Sequence, residues 1–456
     1  VPLPMPEEEA GNALALRPSG HEDARRNTPR PRVLPLSIET DLAPHLAGAR
    51  GPAAATAARI LAETARLLGT DSLVPVASAH IDGCLFHGDA GVLFAETLVA
   101  GGGQVAVPTT LNVGALDLIH AGRVRFAAHQ QRMAERMVAA YEALGCRPTW
   151  TCAPYQAGHR PGLGDHVAWG ESNAVAFANS VLGARTNRLG DFLDICCALT
   201  GFAPETGLHL DRNRIGRFVF DVTGLSERLK AEEAFYPVLG SLVGSLCGEA
   251  VPVVVGLPPG VDEDRLKAFG AAAASSGAVA LFHIVGSTPE APSLAAALGR
   301  AEPAERVVVT PALVRDARDR LTTADRAAEP DAIAIGSPHL SFEELAALER
   351  GLAGRRTRLP IYACTSRFVW QVLQEEGRAE ALEAAGVVPI VDTCVVVAPI
   401  LPEATFDRPK VLMTNSGKFA HYAPGNTGWA TVYGSLDDCV ETAVAGRLVR
   451  DEGAWA

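Results

Sequence analysis

The second half of the chain repeats one pattern, and that pattern limits the folds open to it. Short, nearly unbroken apolar runs rich in β-branched residues recur at "VPVVVGLP", "AVALFHIVG", "ERVVVTP", "DAIAIG", "LPIYACTS", "VVPIVDTC" and "KVLMTNSGK". Helical segments such as "EDRLKAFGAAAASSG", "SFEELAALERGL" and "RFVWQVLQEEG" lie between several of them. A strand that is apolar on both sides has to be covered on both faces. The pattern therefore predicts an α/β fold of parallel sheets with helices on both faces. The first half is less regular. "PAAATAARILAETARLLG", "GVLFAETLVAGG" and "HQQRMAERMVAAYEALG" have helical spacing, "SLVPVASAH" and "QVAVPTTLN" read as strands, and a further strand is expected just before Cys152 in "TWTCAPYQ".

At 456 residues the chain has room for more than one α/β subdomain. The expected division is a Pro- and charge-rich N-terminal extension over 1–37, a first α/β region over 38–230 and a second over 231–456. A net charge of −12 without a basic cluster argues against nucleic acid or an anionic membrane surface as a partner. No apolar stretch approaches the ~18–20 residues of a membrane helix. The N-terminal segment lacks the apolar core of a secretory leader. Nine cysteines, an odd number at irregular spacing, fit reduced thiols or metal ligands in a cytoplasmic protein better than a disulfide framework.

In open parallel sheets ligands bind beyond the carboxyl ends of the strands, so the residues just after each run carry the functional information. Polar residues recur there: His80 and Asp82 in "SAHIDGC"; Thr109, Thr110 and Asn112 in "PTTLN"; and Glu171, Ser172, Asn173, Asn179, Arg185, Asn187, Arg188, Asp191 and Asp194 in one stretch beyond Cys152. "LPIYA" leads to Cys364-Thr365-Ser366-Arg367, "VVPIV" to Asp392-Thr393-Cys394, and "KVLMT" to Asn415-Ser416-Gly417-Lys418.

Cys152, Cys364 and Cys394 thus share one setting, each at the end of an expected strand beside a threonine. Three thiolates converging from separate strand ends could hold iron or an iron–sulfur cluster and leave a metal position open as a Lewis acid. The plainer reading is buried, inert thiols, and no CxxC pair argues against it. Cys196 and Cys197 fall in a helical pattern and read as core. Cys146, Cys247 and Cys439 sit in or beside helices. Arg185 and Arg188, ordinary surface cations on the plain reading, are also suited to forking a substrate carboxylate. The "SGK" at 416–418 lacks the preceding glycines of a P-loop, and "GGG" at 101–103 does not match GxGxxG, so a nucleotide is disfavoured.

Taken together, "SAHIDGCLFHGDAG", "VAVPTTLNVGALD", "TCAPYQ", "AWGESNAVAFANSVLGARTNRLGDFLDICCALTG", "GSPHLSFEEL", "ACTSR", "DTCVVVAPI" and "TNSGKFAHYAPG" resemble the catalytic, large part of the aconitase X family, from about residue 38 to the C-terminus. That resemblance implies an aconitase-superfamily fold and an iron-dependent hydro-lyase. The expected reaction converts cis-3-hydroxy-L-proline to Δ1-pyrroline-2-carboxylate and water. Alternatives are another hydroxy acid, such as mevalonate 5-phosphate, or a non-catalytic iron-binding or scaffold subunit. The resemblance makes Cys152, Cys364 and Cys394 the expected ligands of a 2Fe–2S or 4Fe–4S cluster or of a mononuclear iron. His80, Ser172, Ser416 and Lys418 are the catalytic candidates. Thr109, Asn112, Asn173, Arg185 and Arg188 are the substrate-binding candidates. The family also implies a small swivelling domain, expected here on a separate partner chain, whose serine is the base in aconitases. Ser337 stands where the resemblance places a cysteine in some relatives.

Overall fold

The structure is a computed structural model that describes residues 36–325, 328–403 and 410–455. The extension expected over 1–37 lies outside the described residues apart from its last two positions. The rest forms several small sheets flanked by helices, as the apolar runs predict.

The largest sheet has five parallel strands in the order Val387–Val391, Ile361–Thr365, Ala332–Leu340, Val411–Thr414, Ala430–Tyr433. Its central strand shows why the runs are unbroken. Ile333 and Ile335 point into one core with Leu345, Leu348 and Val440, while Ala332 and Ala334 point into another with Phe419 and Ala423. Because side chains alternate between the faces, a strand covered on both sides must be apolar at every position.

A four-stranded parallel sheet obeys the same rule: Glu305–Val308, Phe218–Asp221, Pro252–Val255, His283–Ile284. Phe220 and Val254 meet the helices Phe235–Cys247 and Glu263–Ser276, and Val219 and Val253 pack on the opposite side against Ala297 and Leu298. A short parallel sheet, Thr109–Leu111, Ala79–Ile81, Ala168–Trp169, carries the first-half motifs. One sheet departs from the expected parallel pairing: Leu36–Ser37, Ser72–Pro75 and Phe202–Pro204 run antiparallel.

Three expected strands shrink or vanish, among them "QVAVPTTLN", which contributes only Thr109–Leu111. "AVALFHIVG" contributes only His283–Ile284. No strand forms before Cys152, because Trp150 takes a left-handed backbone, φ +45°, which breaks an extended run. Thr149 holds the segment beside Thr109–Leu111 instead. Its hydroxyl accepts the Leu111 N–H at 3.0 Å and donates to the Leu111 carbonyl at 2.8 Å.

The central strand of the five-stranded sheet carries a bulge. Ile335 pairs with Ala363 and Leu340 with Thr365, so Gly336–His339 face the single residue Cys364. Gly336 makes this possible. Its φ is +96°, and a Cβ there would stand 2.2 Å from the Cys364 carbonyl oxygen, so no other residue fits. Bulges re-aim side chains near functional sites, and this one directs Ser337 and His339 toward the cysteines.

Candidate active site

Two of the three cysteines meet directly and the third lies within reach of their charges. Cys152, Cys364 and Cys394 are all buried. The Cys364 thiol bonds to the Cys394 sulfur, and Cys152 is near enough that its charge is felt at Cys364 and that of Cys394 is felt at Cys152. Each sulfur meets a peptide N–H: His339 at 3.3 Å from Cys152, Val395 at Cys364 and Val396 at Cys394. The loops carrying Cys364 and Cys394 are tied by a bidentate pair, Arg367 to Asp392 at 2.8 and 2.7 Å. Asp392 itself has a left-handed backbone, φ +66°.

Burial pushes the Cys152 thiol up to about 12 and that of Cys364 well above its usual range, whereas the bond from Cys364 lowers Cys394. A soft cation is what such thiols need to ionise together. Three neighbouring sulfurs, each backed by an N–H donor, fit thiolate ligation of iron. Among the described residues no three His, Cys, Asp or Glu side chains stand in a ready metal-ligating arrangement. Here the S–H···S contact draws two sulfurs together, whereas thiolates would repel.

Beside the triad runs a charged chain. Lys418, in the first turn of the helix Gly417–Thr427, places its ammonium 2.6 Å from Glu171 Oε1 and 2.5 Å from Asn173 Oδ1. Asn173 in turn donates to the Cys152 carbonyl at 2.8 Å. Asn112 donates to Glu171 at 3.2 Å and also to Asp82. Burial alone would raise the Glu171 carboxyl, but Lys418 outweighs it and holds the group down to about 2. Asp82 goes the other way, raised well above the carboxylate range by burial and then by the charges of Glu171 and Asp194. Two carboxyls pushed apart in this way are the mark of an ionised group beside a protonated acid. The Asn112 Oδ1 and Thr393 Oγ1 atoms, both buried, find no partner among the described residues.

The remaining candidates fall in several places. Ser172 donates to Glu171 at 3.3 Å. Ser416 caps the Lys418 helix, accepting from Phe419 N at 3.1 Å, and donates to the Ser337 carbonyl, while the Ser337 side chain bonds Cys394. His80 is fully buried and shares the Thr110 hydroxyl with His159, at 2.8 and 2.6 Å. Burial holds His80 down to about 3 and His159 to about 4. Thr109 spends its hydroxyl on the Val107 carbonyl at 2.8 Å. Arg185 is engaged elsewhere, with Asp211 at 2.5 Å and Glu290 at 3.9 Å, and Arg188 is exposed. A cleft of about 750 Å³ is lined by Ser337, Asn415 and Ser416 together with Arg160, Arg265 and Arg350.

One pairing and one side chain of this site carry little flag in the sequence. Glu171 and Asp82 are visible as polar strand-end residues, but their pairing through Asn112 is not. His339 lies just beyond the apolar run "DAIAIG", in a segment from which only Ser337 stands out.

Three domain models of aconitase X match the chain in order: the first domain over 36–212, the second over 216–319 and the third over 330–445. The chain belongs to the aconitase X family. The cis-3-hydroxy-L-proline dehydratase of Pseudomonas aeruginosa is 40% identical over 451 residues, covering 96% of this chain and 76% of that protein. The enzyme of the same name from Hypocrea jecorina is 40% identical over 428 residues, 92% of this chain and 70% of that one. The phosphomevalonate dehydratase large subunit of Methanothermobacter thermautotrophicus is 37% identical over 378 residues, 82% of this chain and 90% of its own. All three relatives are dehydratases, that is, hydro-lyases. The crystal structure of Thermococcus kodakaraensis aconitase X in its holo-form superposes with a TM-score of 0.78 at 32% identity, over 89% of this chain and 99% of that chain. The cysteine triad therefore joins the first domain, which supplies Cys152, to the third, which supplies Cys364 and Cys394.

Proposed function

We propose that this chain is the catalytic component of a cis-3-hydroxy-L-proline dehydratase, releasing water and Δ1-pyrroline-2-carboxylate. The observation that carries the reading is the Lys418–Glu171–Asn112–Asp82 chain set against three adjacent thiols. It offers a cation, a carboxylate that this cation holds down and a carboxyl that burial raises, within one polar chain.

The reaction removes the proton α to a carboxylate and expels a β-hydroxyl. The substrate carboxylate pairs with Lys418, which belongs to the polar chain beside the thiols, rather than with Arg185, whose partners Asp211 and Glu290 lie outside that chain. Asp82, whose carboxyl burial and its acidic neighbours raise well above the usual range, is suited to donate toward the departing oxygen. Glu171 keeps Lys418 charged and oriented. Ser416, Ser172 and His80 remain the proton-handling candidates on this chain, with the base expected on a small partner. The initial enamine tautomerises to the cyclic imine. Cys152, Cys364 and Cys394 would hold iron, as a cluster or a single ion, which when bound supplies a Lewis acid for the leaving hydroxyl.

Two relatives at 40% identity support hydroxyproline over mevalonate 5-phosphate as substrate. The archaeal relatives' designation as large subunits supports a small partner chain. Nine free, buried cysteines suit the reducing cytoplasm, and among the described residues no helix is long and apolar enough to cross a membrane.

The test is to purify the chain without oxygen, measure iron and acid-labile sulfide, and assay both substrates with the small component added. Water loss from cis-3-hydroxy-L-proline, abolished in Cys394→Ser, is expected. Turnover of mevalonate 5-phosphate alone, or full activity without iron, would overturn the reading.

A further inference from the structure

We infer that His339 is a positioning residue that clasps the Cys152 loop to the Cys394 loop and so fixes where Cys152 stands among the three thiols. The inference rests on the proposed triad but concerns a different residue and a different property.

Four contacts support it. His339 is completely buried. Its Nε2 lies 3.0 Å from the Thr393 carbonyl oxygen. A carbonyl only accepts, so Nε2 carries the hydrogen. Its Nδ1 lies 3.1 Å from the Thr151 hydroxyl, which must then donate, since a neutral ring with Nε2–H leaves Nδ1 as an acceptor. The same hydroxyl accepts the Ala153 N–H at 3.1 Å, so its lone pair is used as well. The backbone N–H of His339 reaches Cys152 Sγ at 3.3 Å, and its carbonyl takes Lys267 Nζ at 3.3 Å. Burial keeps the ring neutral, holding it down to about 4, as this single-proton arrangement requires.

Each partner belongs to a segment that carries or supports the triad. Thr151 precedes Cys152, and Thr393 precedes Cys394. Lys267 comes from the second domain and is anchored by Asp264 at 2.9 Å and by Glu344. Because Thr151 and Thr393 lie in different domains, the chain alone does not fix the distance between their cysteines. The imidazole spans that gap. The bulge begun at Gly336 puts it there.

Three variants test this: His339→Leu, which removes both ring bonds; His339→Gln, whose amide can donate to Thr393 and accept from Thr151; and Thr151→Val, which removes one bond and leaves the ring. Two readouts are taken. In metal-free protein the rate of Cys152 alkylation by iodoacetamide is measured by peptide mass spectrometry. In iron-loaded protein the affinity for ferrous iron and the visible spectrum are measured.

His339→Leu should alkylate at Cys152 about tenfold faster and bind iron about 10–100-fold more weakly with a shifted spectrum. His339→Gln should recover most of both. Thr151→Val should move the same way by a smaller factor, and it decides the matter if His339→Leu does not fold. Unchanged alkylation, affinity and spectrum in the folded variants would overturn the inference. If wild-type protein takes up no iron yet Cys152 alkylation still responds to His339→Leu, the positioning role stands and the iron reading falls.

Discussion

Lys418 and Arg214 are both buried cations bound to a carboxylate, and they are put to opposite uses. Arg214 donates to Glu290 at 3.1 and 3.0 Å, to Asn179 Oδ1 at 3.1 Å, and to the carbonyls of Leu208, Asn179 and Ala184 at 3.0–3.1 Å. Its guanidinium is fully engaged by partners on several loops. Lys418 sits in a chain that ends unfinished, with Asn112 Oδ1 and Thr393 Oγ1 lacking partners among the described residues, beside three thiols. Both clusters draw on the same Asn- and Arg-rich stretch after Cys152. A closed polar cluster is scaffold, because every group it buries is satisfied. One left open, with its carboxyls pushed in opposite directions, is a place for chemistry.

The largest expected effect breaks the closed cluster. Arg214→Met strands Glu290 and several carbonyls, and should lower unfolding free energy by about 3–5 kcal/mol in chemical denaturation. The folded fraction should keep its turnover number, and a matching loss of turnover would erase the distinction. Breaking the open cluster should do the reverse. Lys418→Gln is expected to cut kcat/KM by about 10²–10³-fold while iron content is retained. If iron is lost instead, Lys418 serves the thiols rather than the substrate.

A smaller effect sharpens the comparison through pH. Asp194 is fully buried and accepts the N–H groups of Asp82, Gly83 and Ile195 at 2.7, 3.0 and 2.6 Å, which fixes the Asp82 loop. Burial nevertheless pushes its carboxyl up to about 6 from 3.8. The folded protein therefore holds a proton that the unfolded chain has already released. The penalty is absent below the unfolded value, grows as pH rises, and is complete above the folded one. Wild type should lose roughly 3 kcal/mol relative to Asp194→Asn between about pH 4 and about pH 7. A flat difference across that window, read by denaturation at each pH, would show that the three N–H donors prevail over burial.

The third-domain half of the site was easier to read in the sequence than the first. Cys364 lies near the end of one buried strand and Cys394 three residues beyond another, and such strands announce themselves as apolar runs closed by a polar residue. The setting of Cys152 misleads, since Thr-Trp-Thr looks extended but Trp150 turns left-handed and threonine hydroxyls replace the ladder. Charge placement was less legible still. Nothing local says that Lys418 meets Glu171 while Arg185 meets Asp211, because each pairing depends on how separate segments fold against one another. His339 was hidden for a different reason. The apolar run ends at Gly336 in the sequence, and only the bulge carries the strand on through His339 and turns it toward the sulfurs.

That bulge also marks where the protein should resist improvement. An engineer seeking a more heat-resistant sheet would straighten its central strand, deleting three of the four residues Gly336–His339 so that one residue faces Cys364 and the pairing with Ile361–Thr365 is regular. The edited sheet would gain ladder bonds and regularity. It would also close over the space from which Ser337 and His339 reach the cysteines, leaving a sturdier protein without the tie between its Cys152 and Cys394 loops.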